Sequence, residues 1–168
     1  PLFQRNIAKA WYQMNWEPNL NCLLEDILGN LGDGHKWTCN PGRIERQSQE
    51  RIKQGEPPCL VYSIGSRGEF DFERDVQQRM PSCEIHTFDF TDFSSEIPPD
   101  LNISFHAWGL KPSYQTHNLT GGFFLQKIWE RTPPKGVFKT IQETLIKLGD
   151  VNRPIDLFKI DCEGCEWF

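Results

Sequence analysis

The feature that most constrains this chain is the run Cys59-Leu60-Val61-Tyr62-Ser63-Ile64, which follows Pro57-Pro58. Two prolines stop a helix, and a short, mostly apolar run bounded in this way suits a strand buried on both faces. Gly65-Ser66-Arg67-Gly68 then turns the chain. Phe72, Val76 and Met80 recur every four residues and share one helix face, with Asp71 placed to cap that helix and Pro81 to end it. Residues 84–89 read as a second strand, which closes a βαβ unit of about 30 residues.

The rest of the chain extends this alternation. Apolar residues at Leu101, Ile103, Phe105 and Ala107 have the period of two expected of a third strand. Thr140 followed by Glu143 makes a capping box, Ile141, Leu145 and Leu148 continue a helical face, and Gly149 supplies the stop. Residues 155–161 form the fourth strand and deliver Asp161 at its carboxyl end. The fold class is therefore α/β, a Rossmann-like and mostly parallel sheet with helices on both faces. Residues 1–58, with helical spacing at Ile7, Trp11 and Met14, a glycine-rich turn at 29–34 and a polar stretch over 43–56, read as an N-terminal helical or irregular extension. Residues 59–168 read as the core domain, with 108–135 irregular.

A net charge of −5 argues against a dedicated nucleic-acid surface. No apolar stretch is long enough to span a bilayer, although the first residue is Pro1 and an upstream signal or anchor would not be visible. Six cysteines are too few for a disulfide-dense miniature scaffold, and their even number permits bridges. Two glycosylation sequons, Asn102-Ile103-Ser104 and Asn118-Leu119-Thr120, admit a secretory-pathway location as readily as a cytoplasmic one.

In a parallel sheet of this kind ligands sit outside the carboxyl ends of the strands, and three features converge there. The turn from Gly65 to Gly68 lets backbone approach a ligand and opens onto a helix N-terminus with free N–H groups. Asp89 ends the next strand, near the spacing at which an acidic side chain accepts from ribose hydroxyls; otherwise it caps a loop. Asp161-Cys162-Glu163-Gly164-Cys165-Glu166 places three carboxylates after the fourth strand, costly to pack there unless used.

These segments resemble the class I S-adenosylmethionine-dependent methyltransferases. The nearest branch is the FkbM-related, methyltransferase-like group, in which Lys-Ile-Asp-x-Glu-Gly-x-Glu is a hallmark, matched here by Lys159 to Glu166. Asp33-Gly34-His35-Lys36-Trp37-Thr38-Cys39 also resembles a segment that precedes the core in that group. The resemblance implies S-adenosylmethionine as cofactor, with Gly65, Ser66 and Gly68 beneath its methionine part, Asp89 on its ribose, and Trp108 and Gly109 near the adenine. Asp161 and Glu163 would lie beside the sulfonium and the methyl acceptor. Two departures stand out. Ser63 occupies the place where many such enzymes carry an acid, and their sheet has seven strands whereas this chain stops at Phe168, so it reads as a fragment.

Three other readings compete. A Rossmann dehydrogenase would use the same turn and Asp89 for NAD, but the full G-x-G-x-x-G pattern is missing. A metal or redox site at Cys162-x-x-Cys165 lacks a second close cysteine pair, and burial as small apolar groups is the plain alternative for these two residues. A methyltransferase-like fold kept as a binding or scaffold module is the third. The four histidines, His35, His86, His106 and His117, have no triad-like context and read as structural or surface groups. Nothing in the variable segments identifies the methyl acceptor.

Overall fold

The computed structural model describes residues 22–30, 35–111 and 138–162. It divides into two compact units. The first takes in the chain up to Cys59 together with Glu69–Glu84 and Pro98–Asn102. The second comprises Leu60–Gly68, Ile85–Ile97 and the chain from Ile103 onward.

The second unit carries the sheet. Strands β3 (Leu60–Ile64), β4 (Glu84–Phe88), β5 (Ser104–His106) and β8 (Leu157–Ile160) form a four-stranded parallel sheet in the order β5-β4-β3-β8. Between them in sequence lie the short parallel pair β6 (Gly109–Leu110) and β7 (Phe138–Lys139), and helix α3 (Ile141–Leu148). This is the Rossmann-like α/β class expected. Every residue of β3 is buried, Ser63 included, as its mostly apolar run requires of a central strand. Leu60, Tyr62 and Ile64 alternate along β3 onto one face, where they cluster with Phe88 of β4 and are packed by Leu145, Leu148, Ile155 and Ile160.

Helix α3 begins and ends where its sequence specifies. Thr140 Oγ1 accepts from the Glu143 N–H at 3.0 Å, the Glu143 carboxylate accepts from the Thr140 N–H at 2.7 Å, and Gly149 closes the helix at φ 82°. Ile141 is nevertheless 38% exposed, so the apolar face that works is Leu145 and Leu148.

The first unit contains the antiparallel hairpin β1 (Glu25–Leu28) and β2 (Lys36–Cys39), followed by helices α1 (Pro41–Lys53) and α2 (Asp71–Arg79). In α2, Phe72 and Val76 are buried, as is Met80 at its end, in keeping with their four-residue spacing. The expected cap is corrected: Phe70 holds the cap position and makes no side-chain bond, and Asp71 is the first helical residue, paired with Arg74 at 3.6 Å. The hairpin and α1 are additions to the sequence reading. Helix α1 starts at Asn40, whose side chain accepts from the Arg43 N–H, and its first turn holds Pro41, which needs no N–H partner there. Its buried positions are Pro41, Glu45 and Ser48, so no apolar stripe announces it. Glu45 accepts from the Ser82 hydroxyl at 2.7 Å, and Ser48 accepts from the Cys59 N–H at 2.9 Å.

Two disulfides, Cys22–Cys39 and Cys59–Cys83, tie this unit together. Cys162 in the second unit is also disulfide-bonded, so it does not stand as a small buried thiol. The early apolar spacing at Ile7, Trp11 and Met14 lies outside the described residues. Among those described, no helix is long and apolar enough to cross a membrane.

Candidate functional site

The carboxyl ends of the four parallel strands lie along one edge of the sheet, and backbone hydrogen bonds carry the register one residue beyond them. The Gly65 N–H donates to the Phe88 carbonyl at 2.8 Å, the Asp161 N–H to that of Ile64 at 2.9 Å, and the Asp89 N–H to that of His106 at 3.2 Å. Gly65, Asp89 and Asp161 are thereby brought into one row.

The closest approach in that row is between Gly65 and Asp161. Gly65 has φ 81°, and a Cβ built on it would fall 1.9 Å from the Asp161 carbonyl oxygen. No other residue fits there. Arg67 at φ 54° and Gly68 at φ 77° are left-handed too, so three of the four turn residues adopt a conformation that needs support. Asp89 supplies it. One carboxylate oxygen accepts from the Ser66 N–H at 3.1 Å and the Arg67 N–H at 2.9 Å, and the other from the Thr91 N–H at 2.9 Å. The N–H groups of Ser66 and Arg67 are thus turned onto Asp89, while the Gly68 N–H donates to Ser66 Oγ at 3.4 Å. A Cβ on Gly68 would meet the Glu96 carboxylate at 2.8 Å.

Lys159 opens the hallmark run from Lys159 to Glu166, and the sequence reading gave it no role of its own. It is 8% exposed, and its ammonium donates to the Gly65 carbonyl at 2.5 Å. Its signal in the sequence was a single charge inside the strand Leu157–Ile160, where a buried cation is costly unless it bonds a specific acceptor. The turn is therefore held from both sides, by a carboxylate on its N–H groups and by an ammonium on its first carbonyl.

A family model described as a methyltransferase domain matches residues 1–168. The chain belongs to the methyltransferase-domain family. No curated protein and no solved structure gives a match.

The other residues singled out in this methyltransferase domain fall as follows. Trp108 lies two residues past β5, with its ring 4.6 Å from that of His106 and 5.7 Å from that of Phe88. Its indole N–H donates to Thr144 Oγ1 at 3.3 Å, and the ammonium groups of Lys139 and Lys147 lie 5.4 and 5.5 Å from its ring centre. Gly109 is buried, and a Cβ there would be 2.7 Å from the Phe138 ring. Asp161 is exposed, and Ser63 is fully buried with no hydrogen-bond partner for its Oγ among the described residues. Glu163 lies outside the described residues.

Behind the edge, His86 Nδ1 and His106 Nε2 are 2.8 Å apart, in rings stacked at 7°. Desolvation, then the neighbouring His86 and Lys147, push the His106 imidazole down to about 4, with Asp150 opposing. Tyr62 donates to Asp150 at 2.6 Å in the same layer. One group of metal-ligating side chains occurs among the described residues, Glu45 with Cys59 and Cys83, and there the two sulfurs are bonded to each other.

Proposed function

We propose that this methyltransferase domain takes its methyl group from S-adenosylmethionine, with the FkbM-related, methyltransferase-like group as its nearest branch. Residues 59–168 would form the cofactor-binding domain and residues 1–58 an extension to it. The observation that carries the reading is the packing of the Gly65 turn against Asp161. Two segments 96 residues apart in sequence, each singled out for the same cofactor, meet at one sheet edge.

The residues present fit such a group. A ligand bearing a sulfonium, an ammonium and ribose hydroxyls calls for carboxylates next to a close-approaching backbone turn. Asp161 is exposed at that edge, and Asp89 has about four acceptor sites of which three are used by N–H groups. When bound, the cofactor supplies a methyl group on electron-poor sulfur.

Gly65, Ser66 and Gly68 would pass beneath the methionine part, shaped by Asp89 and Lys159. Asp89 would accept one ribose hydroxyl with its remaining lone pair. Trp108 and Gly109 would wall the adenine end; the ammonium groups beside Trp108 compete for its ring faces, so it would shape that end more than stack there. Asp161 and Glu163 would offset the positive charge, align the acceptor and take its proton. The acceptor is a separate molecule, and the net charge of −5 disfavours nucleic acid.

Thermal melting of the full-length protein with S-adenosylmethionine, S-adenosylhomocysteine and NAD tests this. At about 100 times its dissociation constant the methyl donor should add roughly 2.7 kcal/mol, with no effect of NAD. A shift with NAD alone would overturn the reading.

A further inference from the structure

We infer that Asn102 is a site of N-linked glycosylation and that this protein matures in an oxidising secretory compartment. Two independent observations carry this. The first is the pattern of exposure across Asn102-Ile103-Ser104: Asn102 and Ser104 are exposed, and Ile103 between them is partly buried. The two residues that the transferase must reach, Asn102 and Ser104, are therefore each open to solvent, as a sequon must be to be used.

The surrounding backbone is anchored without drawing on the Asn102 side chain. Leu101 is buried, the Asn102 N–H donates to Gln77 Oε1 at 2.6 Å, and Gln77 Nε2 donates to the Asp100 carbonyl at 2.9 Å. Pro98 and Pro99 precede this stretch, so the acceptor amide is displayed from a fixed turn.

The second observation is the state of the cysteines. Cys22–Cys39 and Cys59–Cys83 are disulfides, Cys162 is disulfide-bonded, and no described cysteine is a free thiol. Cytosolic thiol buffers keep such pairs reduced, whereas the compartment that oxidises them is also the one in which sequons are glycosylated. A disulfide-bonded chain with an exposed sequon meets both conditions.

The donor is a lipid-pyrophosphate-linked oligosaccharide together with the compartment's transferase. The Asn102 Nδ2 forms a bond to C1 of the reducing-end sugar, the C1–O bond to the lipid pyrophosphate breaks, the pyrophosphate leaves with the electron pair, and one amide proton passes to solvent.

The test is expression of the full-length protein in a eukaryotic secretory cell, with peptide mass spectrometry before and after enzymatic release of N-glycans. An Asn118→Gln background removes the other sequon. The expected result is a glycopeptide at Asn102 and a one-glycan mobility shift in that background, abolished in Ser104→Ala and retained in Ser104→Thr. Because Ser104 is exposed, loss in Ser104→Ala with retention in Ser104→Thr separates use of the sequon from misfolding. An unmodified Asn102 carboxamide in the purified protein, in whatever compartment it accumulates, overturns the inference. That outcome leaves the cofactor reading intact, since melting with the methyl donor reports on it separately.

Discussion

The two units of this domain are secured by different physical means. In the first unit covalent bonds close the structure: Cys22–Cys39 joins the start of the hairpin to its end, and Cys59–Cys83 spans 24 residues. In the second unit the edge that carries the candidate site is closed by a carboxylate, an ammonium and a lack of space, through Asp89, Lys159 and Gly65. A disulfide acts largely by restricting the unfolded chain and tolerates changes around it. A steric and hydrogen-bonded clamp acts on the folded chain and fails when one atom is added or removed. Substitutions at the edge should therefore cost stability and ligand binding together, while loss of a disulfide should cost stability first.

The sharpest way to break this comparison is Gly65→Ala. The added methyl would sit 1.9 Å from the Asp161 carbonyl at a φ of 81°, combining overpacking with backbone strain. A loss of about 3 to 5 kcal/mol is expected, with methyl-donor binding abolished. Urea unfolding with an unchanged slope, alongside calorimetry, measures both. If Gly65→Ala binds as the natural protein does, the turn and Asp161 are not one site.

Cys59→Ala with Cys83→Ala is the counterpart in the first unit. Opening a loop of this length should cost about 3 kcal/mol. Cofactor affinity, measured well below the lowered melting temperature, should stay within about twofold, because neither sulfur lies in the row of Gly65, Asp89 and Asp161. A large loss of affinity at intact fold would show that the two units do not divide their labour in this way.

Asp89→Ala comes next. It strips acceptors from the N–H groups of Ser66, Arg67 and Thr91, for an expected loss of about 2 kcal/mol in stability. Cofactor binding should weaken by about 1 to 3 kcal/mol. Asp89→Asn retains one carbonyl acceptor and should cost less on both counts. Stability lost with affinity unchanged would make Asp89 a turn clamp alone.

How far the sequence led depends on which physical signal each element carries. Strands β3, β4, β5 and β8 and helices α2 and α3 were legible because apolar period, glycine and proline punctuation and one capping box agree there. Helix α1 was not, because its buried side is Pro41, Glu45 and Ser48, satisfied by partners distant in sequence such as Ser82 and Cys59. The hairpin strands escaped for a related reason: they are four residues each, and a disulfide supplies what their short apolar pattern does not. At the site, sequence spacing found Gly65, Asp89 and Asp161, which the sheet does align. Spacing alone left open whether Asp89 would face a ligand or its own backbone, and it could not show that Lys159 turns inward to Gly65.

The smallest expected effect separates the units by pH. His106 has a folded-state value of about 4 against 6.5 for an unperturbed imidazole, chiefly because of desolvation. As pH falls, the unfolded chain takes up this proton first, so the contribution to stability is fully present above about pH 6.5. It is lost between about 6.5 and 4 and does not change below that. Burial sets the direction, since charging His106 places a cation in a desolvated layer that already holds the Lys147 ammonium nearby. Because the His106 ring is only half-buried, solvent screening reduces the effect to about 1 kcal/mol. Urea unfolding at pH 7 and pH 5 should show that difference, and His106→Gln should remove most of it. The first unit, closed by sulfur–sulfur bonds that do not titrate, should keep its amide protection at pH 5 while that of β4 and β5 falls by up to about 1 kcal/mol. If both units lost protection in parallel, unfolding would be a single cooperative event and the division between covalent and hydrogen-bonded closure would have no thermodynamic meaning.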